Sequence, residues 1–343
     1  LGVTEDRLGS ASGAGAAGSF ETQPGVPQPR PEAGQTTAHD IVGATPSGGA
    51  GRAAVVSTRH TTLLAFLSSG CLTCRDFWEA FADPALELWS SAPDVSWFDV
   101  AVFDDDEAWQ PAITHMHRYG WVAFDGAELG ETASEQLAAR IGYPRSSIFG
   151  TLWNMNSGSF EHADSAYESG NLDVHTDGTY SHDAPGTIIF AQQLKTGEGG
   201  DSVLVDGFAA ARDFLAAEPD AADLLTRYAV RAHYLEPGVH LVAERPPLRV
   251  DEGGVLRQVT FNNYDRSPLL PAEGLVDDVI DAYNAFRAVF SDPARALYHE
   301  WQPGRMLVFD TWRCCHGRTS FTGDRHFTGC YTNHEDLESA YRL

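Results

Sequence analysis

The stretch Asn171-Leu-Asp-Val-His175-Thr-Asp177 places a histidine and an aspartate two residues apart, and His316 follows much later in Cys314-Cys-His-Gly-Arg318. Side chains i and i+2 of an extended strand point to one face, so His175 and Asp177 would reach the same metal ion. With His316 they would form a facial triad of two imidazoles and one carboxylate, which binds Fe(II) and leaves three positions open. The alternative is an ordinary polar strand edge, because an isolated His-x-Asp pair often occurs by chance.

Four longer stretches surround these residues: His175-Thr-Asp-Gly-Thr-Tyr180, Gly199-Gly-Asp-Ser-Val-Leu-Val-Asp-Gly-Phe208, Phe261-Asn-Asn-Tyr-Asp-Arg266 and Trp312-Arg-Cys-Cys-His-Gly-Arg-Thr-Ser-Phe-Thr-Gly-Asp-Arg325. In this order and at these spacings they resemble the trimethyllysine and gamma-butyrobetaine hydroxylases. These enzymes are a branch of the Fe(II)/2-oxoglutarate oxygenases related to taurine dioxygenase. The similarity runs from about Trp97 to Leu343, and several motifs in sequence are more specific than any one of them.

Beyond Trp97 the sequence alternates short apolar runs with amphipathic stretches. The spacing predicts helices over Trp109–Tyr119, Glu131–Ile141, Ala209–Ala217, Ala221–Tyr228 and Leu275–Phe290. Strands are predicted over 120–124, 187–194, 202–205, 257–261, 305–309 and 326–332, besides the strand that carries His175. Many short strands with inserted helices favour a mainly β fold with a double-stranded β-helix (jelly roll) core and flanking α-helices. The resemblance implies the same fold.

We predict three segments. Residues 1–55 are rich in Gly, Ala, Pro and Ser and are expected to be disordered, because they bury too little apolar surface to offset ordering entropy. Residues 56–95 contain Cys71 and Cys74 in a CxxC after an apolar run, as at the start of a thioredoxin-like unit that is too short to be completed. Residues 96–343 form the oxygenase domain. The cysteine pair has three open interpretations: thiol redox chemistry, a zinc site with His60 that is one ligand short, or a structural or vestigial pair.

The whole chain has 343 residues, 43% of them hydrophobic, and a net charge of −25. So acidic a chain is not expected to bind nucleic acid or an anionic membrane, whereas a small cationic substrate is compatible with it. It has no run of eighteen apolar residues and no visible secretory signal. Because Cys314 and Cys315 adjoin the metal ligand His316, an oxidising compartment would endanger them, and we predict a cytoplasmic location.

The co-substrate 2-oxoglutarate, which the resemblance implies, is a dicarboxylate whose distal carboxylate needs a fixed cation. The planar fork of arginine suits that task better than lysine. Two arginines follow His316, and the family position favours Arg325, whereas Arg318 could be structural. Ser202 matches a hydroxyl position that contacts the co-substrate in taurine dioxygenase relatives, although a serine here is equally typical of a turn. The resemblance also makes Asp177 an argument for hydroxylation, because halogenating relatives replace this carboxylate with a small residue.

A quaternary ammonium group cannot donate a hydrogen bond and is best held by aromatic faces. Four aromatic residues match the positions of the cage in gamma-butyrobetaine hydroxylase: Phe149, Trp153, Tyr167 and Tyr331. Phe149 departs from the tyrosine usual there, which removes a hydroxyl and keeps the ring. Core packing also selects aromatic residues and is the alternative explanation.

Trimethyllysine carries an α-ammonium group that gamma-butyrobetaine lacks. Asp164 stands where trimethyllysine hydroxylases also have Asp and butyrobetaine hydroxylases have Asn, so it is predicted to attract this ammonium. Asn262 and Asn263 are candidates for hydrogen bonds to the substrate carboxylate, with a plain turn as the alternative.

The resemblance therefore implies hydroxylation of an aliphatic C–H bond in a trimethylammonium amino acid, most directly trimethyllysine, with Fe(II), 2-oxoglutarate and ascorbate as reductant. An alternative substrate is gamma-butyrobetaine or a natural-product intermediate. A hypothesis of another class is an inactive fusion whose Cys71/Cys74 unit acts in thiol redox or metal binding. By analogy with family relatives, the chain could form a homodimer.

Overall fold

The computed structural model describes residues 2–4, 41–44, 50–53, 62–64, 87–90, 93–157, 167–251, 254–268 and 275–343. The chain divides into two compact units, Leu1–Ala82 and Asp83–Leu343. In the first unit, β1 (Gly2–Thr4) pairs antiparallel with β4 (Thr62–Leu64), and β2 (Ile41–Ala44) with β3 (Ala50–Ala53). Cys71, Cys74 and His60 lie outside the described residues, as does most of segment 1–55, so the interpretations of both segments stay predictions.

The second unit contains the other described strands and all of the described helices. Its strands are β5 (Trp97–Asp99), β6 (Trp121–Asp125), β7 (Trp153–Asn156), β8 (Leu172–His175), β9 (Thr187–Lys195), β10 (Ser202–Asp206), β11 (Val230–Glu236), β12 (Val239–Arg245), β13 (Leu248–Val250), β14 (Leu256–Val259), β15 (Leu297–His299), β16 (Met306–Asp310), β17 (Cys314–Arg318) and β18 (Arg325–Thr332). Its α-helices are α1 (Asp106–Tyr119), α2 (Thr132–Ile141), α3 (Gly207–Ala217), α4 (Pro219–Arg227), α5 (Val276–Phe290) and α6 (His334–Arg342), with 3₁₀ turns at Val100–Asp104 and Pro293–Arg295.

Two sheets form the centre of this unit. The larger has six strands in the order β5-β6-β16-β9-β18-β7, and the smaller has four in the order β15-β10-β17-β8. A cluster of buried side chains joins them, with Leu204 and Leu297 from the smaller sheet and Ile188, Phe309 and Phe327 from the larger. The sheets therefore pack face to face, which is the two-sheet arrangement of a jelly roll.

Helices cover the outer face of each sheet. Helices α1 and α2 bury their apolar stripes, including Trp109, Met116 and Leu137, against β6, β9 and β16 of the larger sheet. Helices α3, α4 and α5 form a second cluster with Val205 and Cys315, whose side chains leave the smaller sheet on its outer face. Both inner faces are therefore left free to build the core and a cavity between the sheets.

A buried ion pair fixes how the sheets and α1 meet. Arg313 and Asp206 pair over 2.8 Å with side chains only 1% exposed each. The carboxylate of Asp206 also accepts the backbone N–H groups of Phe208, Ala209 and Trp89, so it caps α3 while it balances the guanidinium. Arg313 in turn donates to the backbone carbonyl of Arg118 near the end of α1.

Helix α1 ends on Gly120, whose φ of +83° lies in the left-handed region. A β-carbon there would come within 2.8 Å of Cys314 Sγ and 2.9 Å of Arg313 Cδ. Only glycine adopts this backbone conformation without strain and also leaves room for the chain at Arg313 and Cys314.

The predicted helices and strands occur in the structure within a few residues of their predicted bounds. The β11–β12 hairpin and helix α6 were not predicted. No helix in the described part of the chain combines the length and the apolar character needed to span a membrane.

Candidate metal centre and its cavity

His175 ends β8, and Asp177 follows in a bend. The prediction of one extended strand through both residues is therefore wrong. Hydrogen bonds to a distant segment keep the two side chains together instead. Thr176 donates its backbone N–H to the carbonyl of Phe261 at 2.7 Å and accepts the Phe261 N–H on Oγ1 at 2.9 Å. These two bonds anchor Thr176 to Phe261. The side chains of its neighbours in sequence, His175 and Asp177, are then free to converge on one point.

His316 reaches the same point from the neighbouring strand. Strand β17 pairs antiparallel with β8 so that His316 lies directly opposite His175, and their ring centroids are 4.4 Å apart. Asp177 Oδ1 lies 3.4 Å from Nε2 of His175 and 3.6 Å from Nε2 of His316. One ligand atom from each residue lies within 4.8 Å of the others, and the two histidines are buried. Two imidazoles and one carboxylate at such spacing match the donor set of a facial Fe(II) triad.

Burial and mutual interactions shift the pKa values of all three candidate ligands. Against the effect of burial, the positive charge that His316 carries in acid and the hydrogen bond from His175 lower the pKa of Asp177, so its carboxylate stays ionised from acidic to neutral pH. Burial lowers the pKa of His316 to about 4, so this imidazole is neutral and has a lone pair for a metal. Burial opposes protonation of His175, but its hydrogen bond and charge interaction with Asp177 outweigh burial and raise its pKa. A metal ion would compete with the proton for this imidazole.

Neighbouring groups orient the ligands. His175 Nδ1 lies 2.7 Å from the backbone carbonyl of Asp173, which leaves Nε2 to face the centre. Tyr331 donates its hydroxyl to Asp177 Oδ2 over 2.9 Å, so Oδ1 is the oxygen that faces the two histidines. Such outer contacts fix the geometry and basicity of metal ligands.

The triad opens into a cavity of about 320 Å³, and two arginines line it. Arg318 donates to the backbone carbonyls of Glu168 and Gly170, and Arg325 donates to that of Gly200. Burial and the charge of Arg318 lower the pKa of Arg325 to about 9. No described carboxylate forms an ion pair with Arg325, and its Nε has no hydrogen-bond partner among the described residues. A bound carboxylate would supply the missing negative charge.

Aromatic side chains form much of the remaining wall. All four residues of the predicted cage line the cavity: Phe149, Trp153, Tyr167 and Tyr331. The rings of Trp153 and Tyr331 are 6.2 Å apart. Tyr331 thus belongs both to the wall and, through its hydroxyl, to the metal centre.

The three polar residues predicted to bind substrate differ in where the structure places them. Asn262 lines the cavity, and its Oδ1 accepts the backbone N–H groups of Tyr264 and Asp265. It therefore forms the predicted turn and lines the cavity as well. Asn263 is absent from the described lining. Asp164 lies outside the described residues, so its predicted contact with an α-ammonium group stays a prediction.

The family model described as taurine catabolism dioxygenase TauD, TfdA family, matches residues 83–331. The chain belongs to the TauD/TfdA family. The resemblance found in the sequence is thereby confirmed, and the matched region contains the triad, both arginines and the four aromatic residues.

Three curated relatives are similar to about two thirds of the chain. Trimethyllysine dioxygenase of Meyerozyma guilliermondii is 34% identical over 66% of this chain and 58% of its own length. The mitochondrial trimethyllysine dioxygenase of Mus musculus is 34% identical over 70% of this chain and 58% of its own. Gamma-butyrobetaine dioxygenase of Pseudomonas sp. (strain AK-1) is 30% identical over 70% of this chain and 63% of its own. The chain thus spans less than two thirds of the length of these relatives.

Solved structures share the fold of this TauD/TfdA domain. A taurine dioxygenase from Burkholderia xenovorans gives a TM-score of 0.55 at 15% identity, covering 72% of this chain and 89% of the other. An asparagine oxygenase solved with Fe(II), 3-hydroxyasparagine and succinate gives 0.51 at 15% identity, covering 68% and 83%. The predicted jelly-roll core is confirmed.

Several lining residues of the TauD/TfdA cavity were not found from the sequence: Tyr180, Tyr234, Tyr264, Asp265 and Trp301. Tyr234 lies on the unpredicted β11–β12 hairpin, and its ring contacts those of Tyr180 and Phe149 at 5.1 and 6.2 Å. The alternation of Val230, Ala232 and Tyr234 with polar residues was the signal that could have revealed this strand.

Proposed function

We propose that the chain catalyses the Fe(II)- and 2-oxoglutarate-dependent hydroxylation of an aliphatic C–H bond in a trimethylammonium amino acid, most directly trimethyllysine. One observation carries this proposal. A single cavity joins a two-histidine, one-carboxylate triad, a buried arginine pair and a wall of four aromatic side chains. The names of the similar trimethyllysine and gamma-butyrobetaine dioxygenases support the same substrate class.

His175, Asp177 and His316 would hold the iron, since they offer two imidazole nitrogens and one carboxylate at a buried point. When bound, the metal supplies the oxidation of the C–H bond by O₂, coupled to oxidative decarboxylation of 2-oxoglutarate to succinate. The protein supplies binding, orientation and exclusion of water. Ascorbate is the proposed reductant that keeps the iron ferrous.

Arg325 and Arg318 would bind the dicarboxylate. Both guanidinium groups are at least nine-tenths buried and anchored to backbone carbonyls, so they are held in place before a ligand arrives. The buried guanidinium of Arg325, which forms no ion pair with a described carboxylate, favours a bidentate carboxylate ligand that restores charge balance.

The aromatic wall would hold the trimethylammonium group. Phe149, Trp153, Tyr167 and Tyr331 offer ring faces and no strong anion, which suits a cation that cannot donate a hydrogen bond. The ring faces would fix the position of the cation without forming a bond to it. The carbon chain of the substrate would then extend toward the metal. Asp164 is proposed to select an α-ammonium group.

The partner and location proposals follow from the sequence. We propose a small cationic substrate, no nucleic-acid or membrane partner, and a homodimer by family analogy. A cytoplasmic location is kept as a proposal, and the relative from Mus musculus is named mitochondrial.

A turnover assay by mass spectrometry tests the function. The purified full chain would receive Fe(II), ascorbate, 2-oxoglutarate and O₂, with trimethyllysine and gamma-butyrobetaine in competition. We expect trimethyllysine to gain one oxygen atom, with an equal amount of succinate. His175→Ala serves as the control and should abolish both products.

Gamma-butyrobetaine is the second candidate substrate, because a 30% identical relative bears that name. Oxygen incorporation into gamma-butyrobetaine alone would establish this alternative. Succinate without either product would contradict the substrate class. No succinate from iron-loaded protein would contradict the whole proposal and would favour the inactive-fusion hypothesis.

A further inference from the structure

Ser202 stands at the point where three strands meet the cavity. It begins β10, and its backbone lies opposite Arg318 on β17 and opposite His299 on β15. Residues directly opposite each other on antiparallel strands project to the same face. The Ser202 side chain therefore lies beside that of Arg318, and both line the cavity with Arg325.

Trp301 fixes the orientation of this hydroxyl. Its indole Nε1 donates a hydrogen bond to Ser202 Oγ over 2.9 Å. The indole is 1% exposed and is held edge-on by two rings, Phe327 at 4.7 Å and His299 at 4.3 Å. The donor is therefore rigid, and the hydroxyl oxygen is bound from the side of the core.

The direction of this hydrogen bond determines whether the Ser202 hydroxyl can still donate its hydrogen. A serine hydroxyl has one hydrogen to donate and two lone pairs to accept. Because Trp301 occupies a lone pair, the hydrogen of Ser202 stays available for an acceptor. Within the described part of the chain no group accepts it, and Nε of Arg325 is likewise without a partner there. Ser202 and Arg325, both at least nine-tenths buried and both in the cavity lining, thus each keep an unused donor.

We infer that Trp301 is a positioning residue for the co-substrate: its indole N–H binds the Ser202 oxygen so that the Ser202 O–H points at the distal carboxylate of 2-oxoglutarate beside Arg325. This inference rests on the proposed function and extends it to a residue that acts on the co-substrate through Ser202. Ser202 is the first residue of β10, so the alternative of a turn residue is wrong, and its contact with the co-substrate stays a proposal.

The test measures the dissociation constant of 2-oxoglutarate for protein loaded with Mn(II), which avoids turnover, by isothermal titration calorimetry. Trp301→Phe removes the donor and keeps an aromatic ring. We expect it to weaken 2-oxoglutarate binding about fivefold, the effect of one net hydrogen bond. Ser202→Ala should weaken binding at least as much. Trp301→Phe added to Ser202→Ala should have no further effect, because the hydroxyl through which it acts is gone.

Trp121→Phe is the matched control. Trp121 is fully buried in the same apolar cluster as Trp301, and its Nε1 has no partner among the described residues. The control should bind 2-oxoglutarate as the wild type does, which separates loss of the hydrogen bond from loss of indole volume.

The outcomes separate the two claims. If the wild type binds 2-oxoglutarate and Trp301→Phe binds it equally well, the positioning role is wrong and the proposed function stands. An additive effect in the double variant would also overturn the role. Should Trp301→Phe not fold, unchanged affinity in Ser202→Ala would overturn it instead. A wild type that does not bind 2-oxoglutarate would overturn the proposed function itself.

Discussion

Tyr331 contacts two parts of the cavity at once, since its ring belongs to the aromatic wall and its hydroxyl donates to Asp177. Tyr331→Phe keeps the ring and removes a charge-assisted hydrogen bond to a metal ligand. We expect metal affinity to fall about tenfold, as for other changes in groups that support metal ligands. The measurement is Mn(II) binding by electron paramagnetic resonance. Tyr234→Phe is the control, because its hydroxyl donates to Glu236 instead. Equal Mn(II) affinity in both variants would contradict the role of Tyr331.

At this scale the sequence predicts residue types well and contacts poorly. His175, Asp177 and His316 could be chosen because their chemistry and the surrounding motifs are specific. The bond from Tyr331 to Asp177 could not, because it depends on where β18 and the bend after β8 meet in space.

Helix α1 depends on one glycine for its ending. Gly120→Ala should lower the free energy of unfolding by about 1–2 kcal/mol through its left-handed backbone and by about 1–3 kcal/mol more through overpacking against Cys314 and Arg313. Urea unfolding measures the loss. Gly238→Ala is the matched control: its φ is +86°, and a β-carbon there meets nothing within 4 Å. Equal losses at both positions would mean that close packing is not what requires glycine at Gly120.

Elements were predictable where apolar periodicity is strong, as in α1, α2 and α5. The predicted strand bounds are wrong at the candidate metal centre, where the local sequence pattern suggests that the strand continues through Asp177. There the hydrogen bonds between Thr176 and Phe261 take the place of the strand ladder, and those residues are distant in sequence.

At the scale of the whole second unit, the buried pair of Asp206 and Arg313 connects β10 with the end of α1. Asp206→Asn leaves Arg313 buried without its counter-charge and should lower the free energy of unfolding by about 3–5 kcal/mol. Thermal and urea unfolding would measure this. Asp223→Ala breaks an exposed ion pair with Arg227 and should cost less than about 1 kcal/mol. A loss of similar size in both variants would show that the buried pair is no more important than a surface one.

The thiols beside the metal ligand have a further consequence. Cys314 and Cys315 are fully buried, and burial raises the pKa of Cys315 to about 12 and that of Cys314 well above its ordinary value. Oxidants attack the thiolate form, which these residues do not populate at neutral pH. The two thiols therefore stay protonated beside the candidate metal centre, and their buried, neutral form makes them poor targets for oxidants.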